Sequence, residues 1–363
     1  MDTVVLVGTT KGLFSLRSGD GREQFELAGP SFAGEEVYAT CIDTRGPATR
    51  LFTGSVSNHW GPVLRRSDDL GGTWTEDEQA SLAFPSGTDA SLNRIWQLVP
   101  GPADQPDVVY AGVEPAALFR SDDGGREFSL VEGLWDHPHR PQWEPGGGGL
   151  CLHTVLVHPT DPNRLLIAIS AAGVYLSDDG GGSWRASNGG ITVPFLPDAP
   201  APEFGQCVHK VARDAADPER LYLQHHGGIY RSDDGGGSWT SMTSIAGMDF
   251  GFPVVAHPTR ADTAYLLPLL SDEYRCTPDG QCTVWRTADG GASWEPLTAG
   301  LPQHDAHVTV LRDAFTTDGA DPAGLYFGTR TGEVWGSIDD GESWRLLADH
   351  LPPVVSVRAA PIG

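Results

Sequence analysis

Three observations predict an all-β chain, a seven-bladed β-propeller of four-stranded blades. A short turn-like segment ending in an aromatic residue recurs six times at a nearly constant period. Each interval between copies reads as four short strands. The two ends of the chain supply the strands of one further blade.

The six copies are SDDLGGTW (67–74), SDDGGREF (121–128), SDDGGGSW (177–184), SDDGGGSW (232–239), TADGGASW (287–294) and SIDDGESW (337–344). Their closing aromatics are Trp74, Phe128, Trp184, Trp239, Trp294 and Trp344, separated by 54, 56, 55, 55 and 50 residues. A repeat of that length filled with short strands marks a propeller. In each copy an aspartate (Asp69, Asp123, Asp179, Asp234, Asp289, Asp339) stands where its carboxylate can accept N–H bonds inside a hairpin turn. The glycines permit positive φ, and the aromatic can pack between neighbouring sheets.

The interval HTVLVHPTDPNRLLIAISAAGVYLSDDGGGSWRA shows the strand pattern: strand, proline turn, strand, short turn, strand ending at Ser177, then the repeated turn and a fourth strand. The C-terminal VVSVRAA has no copy after it, and the N-terminal VVLVGTTKGLFSLRSGDGREQFEL supplies three strands with a degenerate turn. Together they complete a seventh blade, so that 1–363 reads as one propeller domain closed by strands from both termini.

The copies match S-x-D-x-G-x-x-W, and on them the sequence resembles the BNR-repeat (Asp-box) propellers. That superfamily includes sialidases, bacterial BNR-repeat glycosyl hydrolases, sortilin-like receptors and photosystem assembly factors. In such propellers the innermost strand starts on the face that holds the pocket, and the Asp boxes lie on the opposite face. The resemblance therefore makes the boxes structural and directs attention to the starts of the inner strands.

Composition narrows the partners. A formal charge of -24 disfavours nucleic acid and anionic membranes, which select basic surfaces. The start, MDTVVLVGTTKGLF, has no basic segment followed by an apolar run and small-residue cleavage site, and no stretch reaches the length of a membrane span. Five cysteines, an odd number in a long chain, fit a reducing compartment, and a cytoplasmic protein is expected. Cys276 and Cys282, bracketing TPDGQ, are a candidate loop disulfide.

Aligned on their downstream turns, four inner strands read CLHTVLVHPTDP, CVHKVARDAADP, GFPVVAHPTRAD and DAHVTVLRDAF, which sets His153, His209, Phe252 and His307 in equivalent positions. Three imidazoles at one mouth match a catalytic metal centre with an open position, and imidazole suits Zn, Cu or Fe. Polar lining of the mouth and metal-free acid–base chemistry are the alternatives. Cys151 and Cys207 precede His153 and His209 by two residues, on the same side of each strand, and His59, His225 and His226 are reserve ligands. His158 and His257 fall on the box side and read as structural.

Long polar loops precede the inner strands and carry Glu144, Glu203, Asp249 and Asp305; Glu144, Glu203 and Asp305 are candidate general bases or supports for the histidines. Arg94, Trp96, Trp143, Phe252 and His226 are candidate substrate contacts. The run PGGGGL (145–150) reads as a flexible rim.

The expected function is a metal-dependent enzyme, an oxidoreductase or a hydrolase or lyase, acting on a small molecule. A sialidase-like glycoside hydrolase is the second reading. The R-I-P segment of sialidases is missing, but Arg94, Arg275 and Arg330 can reach the pocket face, with Tyr38 or Tyr274 nearby. A non-catalytic propeller that binds a protein partner is the third.

Overall fold

The computed structural model describes residues 2–19, 21–75, 81–193 and 201–362. It is a seven-bladed β-propeller: seven antiparallel sheets follow one another along the chain, with a single short α-helix, Glu132–Trp135, among the described residues. Six sheets have four strands. The first blade has three (Glu36–Asp43, Arg50–Ser57 and Gly61–Ser67), and its fourth position is a single bridge from Arg66 to Thr75.

The chain divides into two compact units. One, centred on 35–189, holds the first three blades, the second starting at Arg94–Pro100 and the third at Leu152–Val157. The other takes in 209–363 and the first 34 residues. It holds the blades that start at Val208–Arg213, Gly251–Ala256 and Phe315–Thr317, and the seventh, in which Val354–Ile362 pairs antiparallel with Asp2–Thr9. The boundary falls inside the strand Val208–Arg213. The seventh sheet runs Val354–Ile362, Asp2–Thr9, Gly12–Ser18, Glu26–Ser31, as the two termini predicted.

The repeated turns are built as their residue types require. In the third blade Asp179 accepts the N–H of Ser183 at 2.8 Å and the hydroxyl of Ser183 at 2.7 Å. The Ser177 hydroxyl donates to Asp179 at 2.8 Å and accepts the N–H of Gly181 at 2.9 Å. Asp69 and Thr73, and Asp289 and Ser293, repeat this arrangement. Hydrogen bonds to the charged form hold Asp69, Asp179 and Asp289 down to about 2. In Asp179 and Asp289 the serine hydroxyl contributes most; in Asp69 it is the Thr73 N–H.

A second repeat, not read from the sequence, fills the core. Next after the second-strand residue that pairs with the first residue of each repeated turn stand Phe52, Tyr110, Leu166, Tyr222, Tyr265 and Tyr326, each at most 1% exposed. A buried phenol needs a partner. Tyr222 and Tyr326 donate to Asp214 and Asp318 at 3.3 and 3.1 Å, and Tyr265 donates to the Asp340 carbonyl at 3.2 Å.

Candidate functional site

The inner strands share a local irregularity that positions side chains. Pairing with the second strand skips Tyr38 in the first blade, Trp96 in the second, His153 in the third, and Phe252 with its neighbour in the fifth. A bulge re-aims the extra residue. Each lies five residues before the turn-closing pair: Gly101 N–H to Val108, His158 N–H to Arg164 and His257 N–H to Thr263. In the fourth blade the same count from Asp214, which bonds Arg220, gives His209.

In the sixth blade the closing bond is Asp318 N–H to the Gly324 carbonyl, and the count gives Asp313. The expectation that His307 stands there is therefore corrected. His307 is exposed in the irregular segment before Phe315–Thr317. Its alignment rested on LRDAF resembling ARDAADP of the fourth blade, but the turn of the sixth blade is the later TTDGADPAG.

The first two blades bring together one cluster. Glu36 and Tyr38 come from Glu36–Asp43, Arg94 and Trp96 from Arg94–Pro100, and Glu114 ends the strand Val109–Glu114 opposite Arg94. The Arg94 guanidinium lies 2.9 Å from Glu36 and 3.8 Å from Glu114. Trp96 donates its indole N–H to Glu114 at 2.9 Å. The rings of Tyr38 and Trp96 sit 4.7 Å apart, and the guanidinium lies 4.3 Å from the centre of the tyrosine ring. Arg94, Glu36 and Glu114 are 28, 27 and 20% exposed, open enough to meet a ligand and enclosed enough to hold their geometry.

The glycine-rich rim reaches this cluster. A Cβ on Gly149 would lie 2.5 Å from a Glu114 carboxylate oxygen, and its φ of +84° is one that glycine adopts without strain. Of the sequence candidates, Arg94 and Trp96 belong here. Glu36 and Glu114 were not singled out: a glutamate beginning or ending a strand carries no signal until the arginine of the neighbouring blade is placed beside it.

The histidines fall into different environments. His153 is fully buried, with Nδ1 3.0 Å from the Thr154 hydroxyl and Nε2 3.0 Å from the Val208 carbonyl. Both nitrogens are thus engaged, as in an interior structural imidazole. His209 is 4% exposed and donates from Nδ1 to the Gly251 carbonyl at 2.6 Å. Burial, reinforced by the Arg312 cation, lowers its pKa well below that of an ordinary imidazole and keeps it neutral. His226 lies 5.7 Å from His209, ring centre to ring centre, with Phe250 against both and Phe252 against His209. Of the expected trio, His153 has both nitrogens bonded and His307 is exposed away from the inner-strand position of its own blade. The group of potential metal ligands found among the described residues is Cys207, His209 and His226, with ligand atoms within 4.8 Å of one another.

Lys210, next along from His209, donates to Asp313 at 2.7 Å, and Arg358 donates to the same carboxylate oxygen at 2.5 Å. Burial pulls the Lys210 ammonium down to about 8, and the two cations hold Asp313 far below the usual carboxylate range against the opposing effect of its own burial.

The remaining candidates sit elsewhere. Glu144, Glu203, Asp249 and Asp305 are exposed in loops, Glu203 with its nearest oxygen 4.0 Å from His139. Trp143 is buried and donates to the Tyr175 hydroxyl at 2.8 Å, a packing role in place of the expected substrate contact. Arg275, Tyr274 and Arg330 are exposed. His158 and His257 accept N–H bonds within their turns, as structural residues should. Cys276 and Cys282 are free thiols, so the candidate disulfide is absent. No helix among the described residues is long and apolar enough to cross a membrane.

No family model matches the chain. Curated relatives at low identity are xyloglucanases: one from Hypocrea jecorina is 24% identical over 68% of this chain and 30% of its own length. Xgh74A from Acetivibrio thermocellus is 24% identical over 64% of this chain and 29% of its own. The chain thus spans about a third or less of these relatives. Among solved structures, an ancestral GH74 enzyme superposes with a TM-score of 0.59 at 16% identity, over 89% of this chain and 38% of that one. YCF48 bound to D1 peptide superposes with 0.53 at 12% identity, over 95% of this chain and 85% of that one. These likenesses concern the fold.

Proposed function

We propose that this chain acts on a carbohydrate, with the cluster of Glu36, Tyr38, Arg94, Trp96 and Glu114 as its site, and that it hydrolyses a glycosidic bond there. The observation that carries the reading is two partly exposed carboxylates converging on one guanidinium beside the ring of Tyr38. Glycoside hydrolysis needs two carboxylates, one to protonate the leaving oxygen and one to activate water or attack the sugar carbon. A single guanidinium touching both limits their nearest oxygens to roughly 9 Å apart, within the span over which such pairs act.

Tyr38, partly exposed, offers an apolar plane with a polar edge, the surface that suits a sugar ring; Trp96, 8% exposed, backs the tyrosine ring and holds Glu114 through its indole N–H. The low-identity relation to xyloglucanases supports a polysaccharide substrate in preference to the small molecule first expected. The metal-dependent reading on His153, His209 and His307 is set aside in favour of the carboxylate pair, because His153 has both ring nitrogens engaged and His307 stands outside the inner-strand position of its blade.

The test is reducing-end release from a panel of xyloglucan, mixed-linkage β-glucan and arabinoxylan, together with tryptophan fluorescence on adding each. Wild type should release reducing ends from at least one. Glu36→Gln and Glu114→Gln should lower that rate by 10²-fold or more, an estimate of about the loss of one acid or base, while Trp96→Ala weakens binding. A chain that neither releases reducing ends nor responds in fluorescence to any of the three removes the reading.

A further inference from the structure

We infer that His209 and His226, completed by the thiolate of Cys207, form a site for a soft or borderline transition-metal cation such as Zn²⁺, separate from the carbohydrate cluster. The three ligand atoms lie within 4.8 Å of one another, close enough for one ion to sit among them after small side-chain movements.

The hydrogen bonds around the two imidazoles favour this use. The Nδ1–H of His209 is committed to the Gly251 carbonyl at 2.6 Å, which fixes the tautomer whose lone pair is on Nε2. The Nε2 of His226 lies 3.4 Å from an Asp272 carboxylate oxygen, an acceptor that can orient the ring. A backbone carbonyl behind one histidine and a carboxylate behind the other are the outer partners that orient metal-bound imidazoles.

The surroundings add two further features. Phe250 packs edge-on to both imidazoles at 5.4 and 5.3 Å, and Phe252 lies 4.9 Å from His209, an apolar wall that limits competing water. Arg312 places a positive charge near His209, so a cation entering this spot needs an anionic ligand, and the half-buried Cys207 thiolate supplies it. Cys207 immediately precedes the strand Val208–Arg213 that carries His209, and strand alternation sets both side chains toward the same side. Two imidazoles and a thiolate are a set that zinc and cobalt both accept, with a fourth position left for water.

The experiment uses the full chain without a histidine tag, stripped with chelator and titrated with Co²⁺ and then Zn²⁺. One equivalent of Co²⁺ should produce visible bands and a near-ultraviolet thiolate charge-transfer band, both discharged by Zn²⁺. Cys207→Ser should abolish the charge-transfer band. His226→Ala and Asp272→Asn, at partly exposed positions, should weaken binding, the latter about 10- to 100-fold. His350→Ala, at an exposed imidazole, should change nothing. Absence of saturable cobalt spectra in folded wild type overturns the inference, as does a charge-transfer band that survives Cys207→Ser.

Discussion

Asp313 takes the inner-strand position for which a histidine was expected, and its removal tests how the buried charge network is balanced. Asp313 is 3% exposed and bonds both Lys210 and Arg358. In Asp313→Asn those cations lose their counter-ion, and taking one partner from a buried pair costs about 3–5 kcal/mol. Lys210 has an escape, because it can lose its proton. At pH 7, discharging a lysine with an unfolded pKa of about 10.4 costs about 5 kcal/mol, which sets a ceiling of the same size. The variant should therefore unfold in urea about 3–5 kcal/mol below wild type.

The pH dependence supplies a second, signed readout. The folded pKa of Lys210 is depressed to about 8, so below that pH the folded chain bears the full cost of a buried ammonium. Between about 8 and 10.4 the unfolded chain binds more protons, so wild-type stability should rise by about 3 kcal/mol from this group. In Asp313→Asn the Lys210 pKa falls further, and the rise should begin at lower pH. Urea titrations followed by tryptophan fluorescence from pH 6 to 10 measure both. A variant within about 1 kcal/mol of wild type at pH 7 would refute the assignment of Asp313 as the neutralising group.

Two other outcomes follow from the repeated geometry. Asp69, Asp179 and Asp289 are held at about 2, so their contribution is complete above their unfolded pKa of about 4 and is lost as pH falls through 2. Melting temperature should drop between pH 4 and pH 2, less steeply in Asp179→Asn; a flat profile would count against the turn hydrogen bonds as stabilisers. A Cβ on Gly300, at φ +88°, would meet the Trp344 carbonyl at 1.9 Å, whereas one on Gly34, at φ +93°, meets nothing within 4 Å. Gly300→Ala should cost about 3 kcal/mol or more, and Gly34→Ala only the left-handed penalty of about 1–2 kcal/mol; equal losses in thermal denaturation would rule out the clash.

The blades were legible because a hairpin that must satisfy its own backbone leaves a fixed set of residue types at a fixed spacing. The seventh blade followed from strands at each end that lacked partners nearby in sequence. Inner-strand register was read correctly for His153, His209 and Phe252, where HP or DP turns lie close downstream. It failed at His307 because Arg312-Asp313-Ala314 imitates Arg213-Asp214-Ala215, and only the backbone bond from Asp318 to Gly324 separates a strand residue from a turn residue. The carbohydrate cluster was half legible: Arg94, Trp96 and Tyr38 drew notice as residue types. Glu36 and Glu114 gain meaning from a partner on another strand, and such pairings are set by blade packing. His226 was foreseen near the pocket face, but its meeting with Cys207 depends on the turn following Leu221–His225.

The seventh sheet has a consequence for the order of folding. Its strand Asp2–Thr9 is made before the other described strands, yet its hydrogen-bonding edge is met by Val354–Ile362, which is made after all of them. Until then six blades can form behind a strand whose edge lies open, and an open, apolar edge is a template for pairing with another chain. Closure over so long a loop is the kind of contact that slows folding. The unpaired edge of Asp2–Thr9 is thus a point at which crowded synthesis would divert this chain into domain-swapped or aggregated forms.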